Sequence, residues 1–117
     1  KAQQIEPEVL GFILDTLTIR RQKQSTENLR LLRHEIDRLD NDLLEVLARR
    51  MRVCRDIGMY KKEHSMPVLQ TGRFDDIMHS RVATAVEMGM SADFMRTVLA
   101  AIHEESVRQQ IEILNRR

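Results

Sequence analysis

The sequence predicts an all-α chain built around one long helix, and three observations carry that expectation. Only four Gly and two Pro occur in 117 residues, which leaves few punctuation points between elements. Leu29, Leu32, Ile36, Leu39, Leu43 and Leu47 step by three and four, the spacing of a single buried helical stripe. Period-two alternation bounded by turn residues is sustained nowhere, so no strand competes. A hydrophobic content of 42% is enough for a core in one domain with an appendage.

The elements follow in order. Residues 1–27 read as a junction segment, helical near 7–21, where Pro7 suits a first helical position and Val9, Leu10, Phe12, Ile13, Leu14, Leu17 and Ile19 make it apolar on nearly every side. The polar stretch "RQKQSTEN" reads as a linker. A capping signal at Ser25 or Thr26 opens the long helix of the main domain, residues 28–117, which continues to about Glu63 with Gly58 as its only breaker. About 35 residues at 1.5 Å each span roughly 50 Å, whereas a compact chain of this length has a radius of gyration of about 13 Å. The stripe is therefore expected to be covered by a second copy in an intertwined homodimer. "HSMPVLQTG" is a loop. A shorter helix carries Phe74, Ile77, Met78, Val82 and Ala85 or Val86 and stops near Gly89. Ser91 caps the last helix, whose inner face holds Met95, Val98 or Leu99, Ile102, Ser106, Gln110 and Ile113 and which runs to about Asn115.

Charge and composition exclude several functions. With 19 Lys+Arg against 18 Asp+Glu there is no global basic field for nonspecific nucleic-acid binding, and 3% aromatic residues leave little for base stacking. No leader pattern or apolar run of spanning length is present, which sets a cytoplasmic location and no membrane partner as the expectation. The start at Lys1 without Met suggests a fragment of something longer. Cys54 lies on the apolar stripe and reads as a buried, inert thiol. His34, His64, His79 and His103 lack ligand spacing, so no metal is expected and each reads as a solvated surface residue. No phosphate loop, nucleophile elbow or nucleophile beside a base is found. The methionines, among them Met51, Met59, Met78, Met88 and Met95, read as core fillers. The acids Glu35, Asp37, Asp40, Asp42 and Glu45 read as solvated ion pairs on the outer face.

The informative anomaly is "RRMRVCRDIGMYKK", residues 49–62. Continuing the stripe lands on Arg50, Cys54, Ile57 and Lys61, which puts two cations on a face that should be apolar. Their stems could snorkel to solvent, but unpaired buried cations are costly. Arg73 after the loop, and Ser106 and Gln110 on the last helix, complete a set of inward cations and neutral donors suited to a small anion. Arg33, one step beside the stripe, is placed to reach a dimer partner's pocket.

These residues resemble the all-helical class of chorismate mutases. "LRHEIDRLDNDLLEVLARRMRVCRDIGMYKK", "MPVLQTGR" and "IHEESVRQQ" match its pattern across roughly residues 29–115. The resemblance implies the three-helix, dimeric type II fold with shared active sites. It also implies conversion of chorismate to prephenate by a unimolecular [3,3] rearrangement, in phenylalanine and tyrosine biosynthesis and without a cofactor. It implies that Arg33 reaches across the dimer to a carboxylate and Arg50 binds one in its own pocket. Lys61 contacts the ether oxygen and a carboxylate, Arg73 and Ser106 hold the ring end, and Gln110 donates to the ether oxygen. The chain departs from the family where many members have Asp and this one has Gln70. It departs again at Phe74, where the family has a Glu that contacts the ring hydroxyl; Gln70 or Asp75 is the substitute. "PEVLGFILDTLTIRRQKQ" is similar to the junction behind 3-deoxy-D-arabino-heptulosonate 7-phosphate (DAHP) synthase in fused enzymes, which makes that domain the expected fused or docked partner. The alternatives are an isochorismate-pyruvate lyase on the same scaffold and a non-catalytic regulatory or dimerisation module.

Overall fold

A computed structural model of the chain describes residues 7–68 and 71–116, with side chains from residue 16 onward except at position 71. The described residues form three helices and no strand, α1 (Pro7–Glu63), α2 (Thr71–Glu87) and α3 (Ala92–Asn115). The all-α, three-helix expectation is thereby met. No helix among them is long and apolar enough to cross a membrane. The chain divides into two compact units, Lys1–Leu44 and Glu45–Arg117, and each is described by itself.

In the first unit the described residues all belong to α1. Pro7 opens this helix, as its fixed φ and missing N–H allow. The expected linker at "RQKQSTEN" is helical instead, and Ser25 and Thr26 cap nothing. Its Arg, Gln, Lys and Glu are good helix formers, so a polar stretch continues the helix where no Gly or Pro stops it. The stripe residues Leu29, Leu32, Ile36, Leu39 and Leu43 are 45–65% exposed, so nothing among the described residues covers the face expected to be buried. Along the polar face, ion pairs join Glu27 to Arg30 at 2.6 Å and Glu35 to Arg38 at 3.9 Å. Such exposed pairs contribute little. The side chains of residues 9–14, expected to be apolar on every side, lie outside the described residues.

The second unit packs the end of α1 with α2 and α3. Its buried apolar residues are Cys54, Val82, Ala85 and Ile113, and with them are two polar ones, Ser106 and Gln110. Met59 and Met88 are 50% and 71% exposed and fill no core; a thioether on an outward helical or turn position is solvated like any other side chain. Gly58 does not break α1, whose bonds run through it. The helix ends instead at Glu63, where Ser65 takes a left-handed φ of 54° and the Met66 N–H returns to the Lys61 carbonyl at 2.8 Å, satisfying a carbonyl the helix leaves open. Helix α2 stops at a left-handed Gly89 with φ 91°, and Met90 N–H donates to Ala85 O at 2.9 Å. Ser91 caps α3 as expected, its hydroxyl accepting from Phe94 N–H at 3.1 Å.

Away from the inner face, two polar links tie α1 to α3. The Lys62 ammonium donates to the carbonyls of Ile113, at 3.3 Å, and Arg116, where a cation suits the helix's negative end. Arg55 Nη1 donates to Gln109 Oε1 at 3.1 Å, while Gln109 Nε2 donates to Glu105 at 2.9 Å. Glu105 also accepts a two-pronged pair from Arg108 at 2.6 and 2.8 Å. Hydrogen bonds from Arg108 and then Gln109 outweigh the opposing desolvation and, with the Arg108 charge, hold the Glu105 carboxyl down at about 2 against an ordinary 4.5. A carboxyl depressed on folding stabilises the fold above its unfolded value and loses that contribution as it is protonated. Acid titration of the wild type, followed by helical circular dichroism, should therefore lose stability between about pH 4.5 and about pH 2 in excess of Glu105→Gln, with the two curves parallel above that window.

Candidate functional site

The residues of the unusual stretch converge on one cavity of about 220 Å³ within the second unit. Helical periodicity explains the convergence. Arg50, Cys54, Ile57 and Lys61 recur at four, three and four along one face of α1, and His103, Ser106, Val107 and Gln110 do the same on α3. Helix α2 closes the third side with Arg73, Phe74, Ile77 and Met78.

Arg50, Ser106, Lys61 and Gln110 each have a defined partner. Arg50 Nη1 donates to Ser106 Oγ at 2.5 Å and lies 3.7 Å from Cys54 Sγ; the Ser106 hydroxyl in turn donates to Ile102 O at 2.7 Å. Lys61 Nζ donates to Gln110 Oε1 at 3.0 Å and to the loop carbonyl of Val68 at 2.8 Å. With its oxygen accepting from Lys61, Gln110 keeps its amide N–H groups for another acceptor. Cys54 is buried, as expected. Three cations, Arg50, Lys61 and Arg73, line the cavity, and no Asp or Glu does among the described residues. Such a space has a positive potential that only an anion relieves.

Close helix packing sets this geometry. A Cβ on buried Gly58 would stand 3.1 Å from Gln110 Cα and 3.4 Å from Gln110 Cγ and Ile113 Cβ. The missing side chain therefore lets α3 approach α1 closely enough for Lys61 and Gln110 to meet. Sequence reasoning treated Gly58 as a breaker, although its place three residues before Lys61 on the same helix was the available signal.

Of the expected site residues, the structure brings together Arg50, Lys61, Arg73, Ser106 and Gln110. Arg33 belongs to the other unit, where it is exposed, and is not among the lining residues. Gln70 lies outside the described residues. Asp75, the other expected substitute, lines a different groove with Met78, His79 and Val82. His103 is corrected as well. Expected as a solvated surface residue, it is half-buried in the cavity wall, its ring stacked on Phe74 with centroids 3.8 Å apart and planes 23° apart. Its position three residues before Ser106 and seven before Gln110 puts it on their face, a signal that a search for metal-ligand spacing overlooks. No group of three or more His, Cys, Asp or Glu residues placed to hold a metal ion occurs among the described residues.

Comparison with known proteins adds an independent line. The family described as chorismate mutase type II matches residues 32–111. A T-protein of Haemophilus influenzae is 34% identical over 80 residues, covering 68% of this chain and 21% of its own length. The chain thus spans about a fifth of that relative. Two proteins named 4-amino-4-deoxychorismate mutase are also similar. The one from Streptomyces pristinaespiralis is 31% identical over 75% of this chain and 68% of its own, and the one from Streptomyces venezuelae 30% identical over 75% and 85%. No solved structure matches significantly.

Ala is favoured over Gly within a helix by about 1 kcal/mol, so the two helical glycines separate packing from propensity. Gly58→Ala should lower the urea midpoint despite that gain, because the new methyl meets the α3 backbone. Gly72→Ala, with nothing within 4 Å of its added Cβ, should raise it.

Proposed function

Because the chain belongs to the chorismate mutase type II family, a family of isomerases, we propose that it rearranges chorismate to prephenate in aromatic amino acid biosynthesis. We place this activity in a homodimer, as one domain of a larger protein with DAHP synthase as its fused or docked partner. The observation that carries the reading is the Lys61–Gln110 pair, 3.0 Å apart, in a cavity lined among the described residues by three cations and no acid. Chorismate is a dicarboxylate, and its [3,3] rearrangement breaks an ether C–O bond while a C–C bond forms in the same step. No proton or covalent intermediate is required, which suits a cavity without a nucleophile–base pair.

Two effects accelerate such a step. Confinement of a flexible dianion in a compact chair removes entropy before the reaction. Arginine forks match planar carboxylates, so Arg50 and Arg73 are the holding groups, with Ser106 steadying Arg50. Donors aimed at the ether oxygen stabilise the negative charge that develops there. Lys61 supplies a point charge, and Gln110 supplies an N–H left available because its oxygen is turned to Lys61. One such donor is worth about 2.7–4 kcal/mol, and a millionfold acceleration needs about 8 kcal/mol, so the pair accounts for a large share.

The homodimer reading is supported by the exposed leucine stripe of α1 and by Arg33 beside it, which in this assignment enters the cavity of a second copy. Supporting a partner domain is the helical segment ahead of residue 28, whose Leu17 and Ile19 are exposed.

Incubation of the purified chain with chorismate should give prephenate, and Lys61→Ala should lower kcat by about a hundredfold or more. Mixing inactive Lys61→Ala with inactive Arg33→Ala should restore part of the activity, since a mixed dimer then holds one complete site; no recovery would remove the shared site. A neutral Gln110 needs no proton to donate, so kcat should stay flat across neutral pH, and a steep fall near pH 7 would contradict its role.

A further inference from the structure

The similar Streptomyces proteins are named for a substrate in which an amino group replaces the oxygen at position 4 of chorismate. A cavity of this kind must distinguish a neutral hydroxyl from an amine at that position or accept both. Which lining group could tell them apart follows from the hydrogen bonds already made. Arg50 and Ser106 are engaged with each other, and the Ser106 proton is directed to Ile102 O. Lys61 is engaged with the Gln110 oxygen, while the Gln110 N–H groups and Arg73 are assigned above to the ether oxygen and to a carboxylate. His103 is different. Among the described residues its contact is the stack on Phe74, which fixes the ring plane and leaves both ring nitrogens for a ligand, one to donate and one to accept in the neutral imidazole. Phe74 itself offers only a ring face.

Resting on the mutase reading above, we infer that His103, held by Phe74, is the residue that reads the ring substituent and sets a preference for the hydroxyl over the amine. An aliphatic amine is protonated at neutral pH. Placed beside Arg50, Lys61 and Arg73, with no Asp or Glu lining the cavity among the described residues, it meets like charge that no protein acid relieves. A hydroxyl carries no such penalty and exchanges a hydrogen bond with the imidazole. The hydrogen bond gives the gain for one substrate, and the acid-free cavity gives the loss for the other.

The test compares kcat/KM for chorismate and for 4-amino-4-deoxychorismate in the wild type, His103→Leu and His103→Gln, with helical circular dichroism to confirm folding of each. The wild type should prefer chorismate by about tenfold or more, the effect of one differential interaction of roughly 1.4 kcal/mol. His103→Leu should lose chorismate turnover by about tenfold while the amine changes by less than about threefold, and His103→Gln, which still donates and accepts, should recover most of the preference. Equal losses on both substrates in His103→Leu would reduce His103 to a packing residue, and a wild type without preference would overturn the inference while leaving the mutase reading intact. A folded wild type that turns over neither substrate would remove both.

Discussion

The approach of α1 to α3 at Gly58 is the constraint from which the rest of the site follows. A Cβ at this position would come within 3.1 Å of the Gln110 backbone, a distance at which one helix must give way. Lys61 stands one turn beyond Gly58 on α1 and Gln110 lies directly opposite on α3, so the closeness of the two backbones is what brings ammonium and amide into hydrogen-bond contact. Cores transmit small displacements because they are densely packed. A shift of a few tenths of an ångström here therefore reaches the two donors, and with them the orientation of the Gln110 N–H groups.

Electrostatics adds a second condition. Arg50, Lys61 and Arg73 share a small cavity with no lining acid, yet the first two are not left without acceptors. Neutral oxygens from Ser106, Gln110 and Val68 solvate them. This arrangement spares the desolvation cost of an unpaired buried cation without neutralising its charge. A carboxylate in place of those oxygens would hold the cations more tightly and would also cancel the potential that draws an anion in. Use of a hydroxyl, an amide and a carbonyl keeps the cavity both stable and positive. Glu105, the nearby acid on α3, is occupied instead by Arg108 and Gln109.

The fold was legible where periodicity and capping chemistry act locally. Ser91 and Gly89 announced the start of α3 and the end of α2, and the three-four spacing announced the long helix. The Arg50, Lys61, Ser106 and Gln110 set was legible for the same reason, because a polar residue on an apolar stripe is a visible exception. What escaped depends on distance between elements. Gly58 shows in sequence only that it shares a helix with Lys61, three residues on; a helical glycine costs about 1 kcal/mol whether or not a backbone lies against it, and only the neighbour reveals its use. His103 was overlooked because its partner, Phe74, is on another helix. The supposed linker at residues 21–28 failed for a different reason: polarity was read as irregularity, although Arg, Gln, Lys and Glu favour a solvated helix.

The exposed stripe of α1 and the position of Arg33 beside it would both be accounted for by the proposed second copy. Leu29, Leu32, Ile36, Leu39 and Leu43 form a continuous apolar row, and burial of apolar area at about 25 cal/mol per Å² is the dominant gain in association. Scattered surface leucines need no explanation, but a row at helical register does. Arg33 is beside this row rather than in the cavity of its own second unit. In the proposed homodimer one event would bury the leucines and deliver the arginine, so assembly and completion of the site would be a single equilibrium. A chain that built its whole anion site from residues 45–117 would carry a fourth cation in a small cavity before any ligand arrived, at the cost of mutual repulsion. In the proposed homodimer, supplying that charge from a second copy would defer the repulsion to the assembled state, where burial of the stripe would offset it.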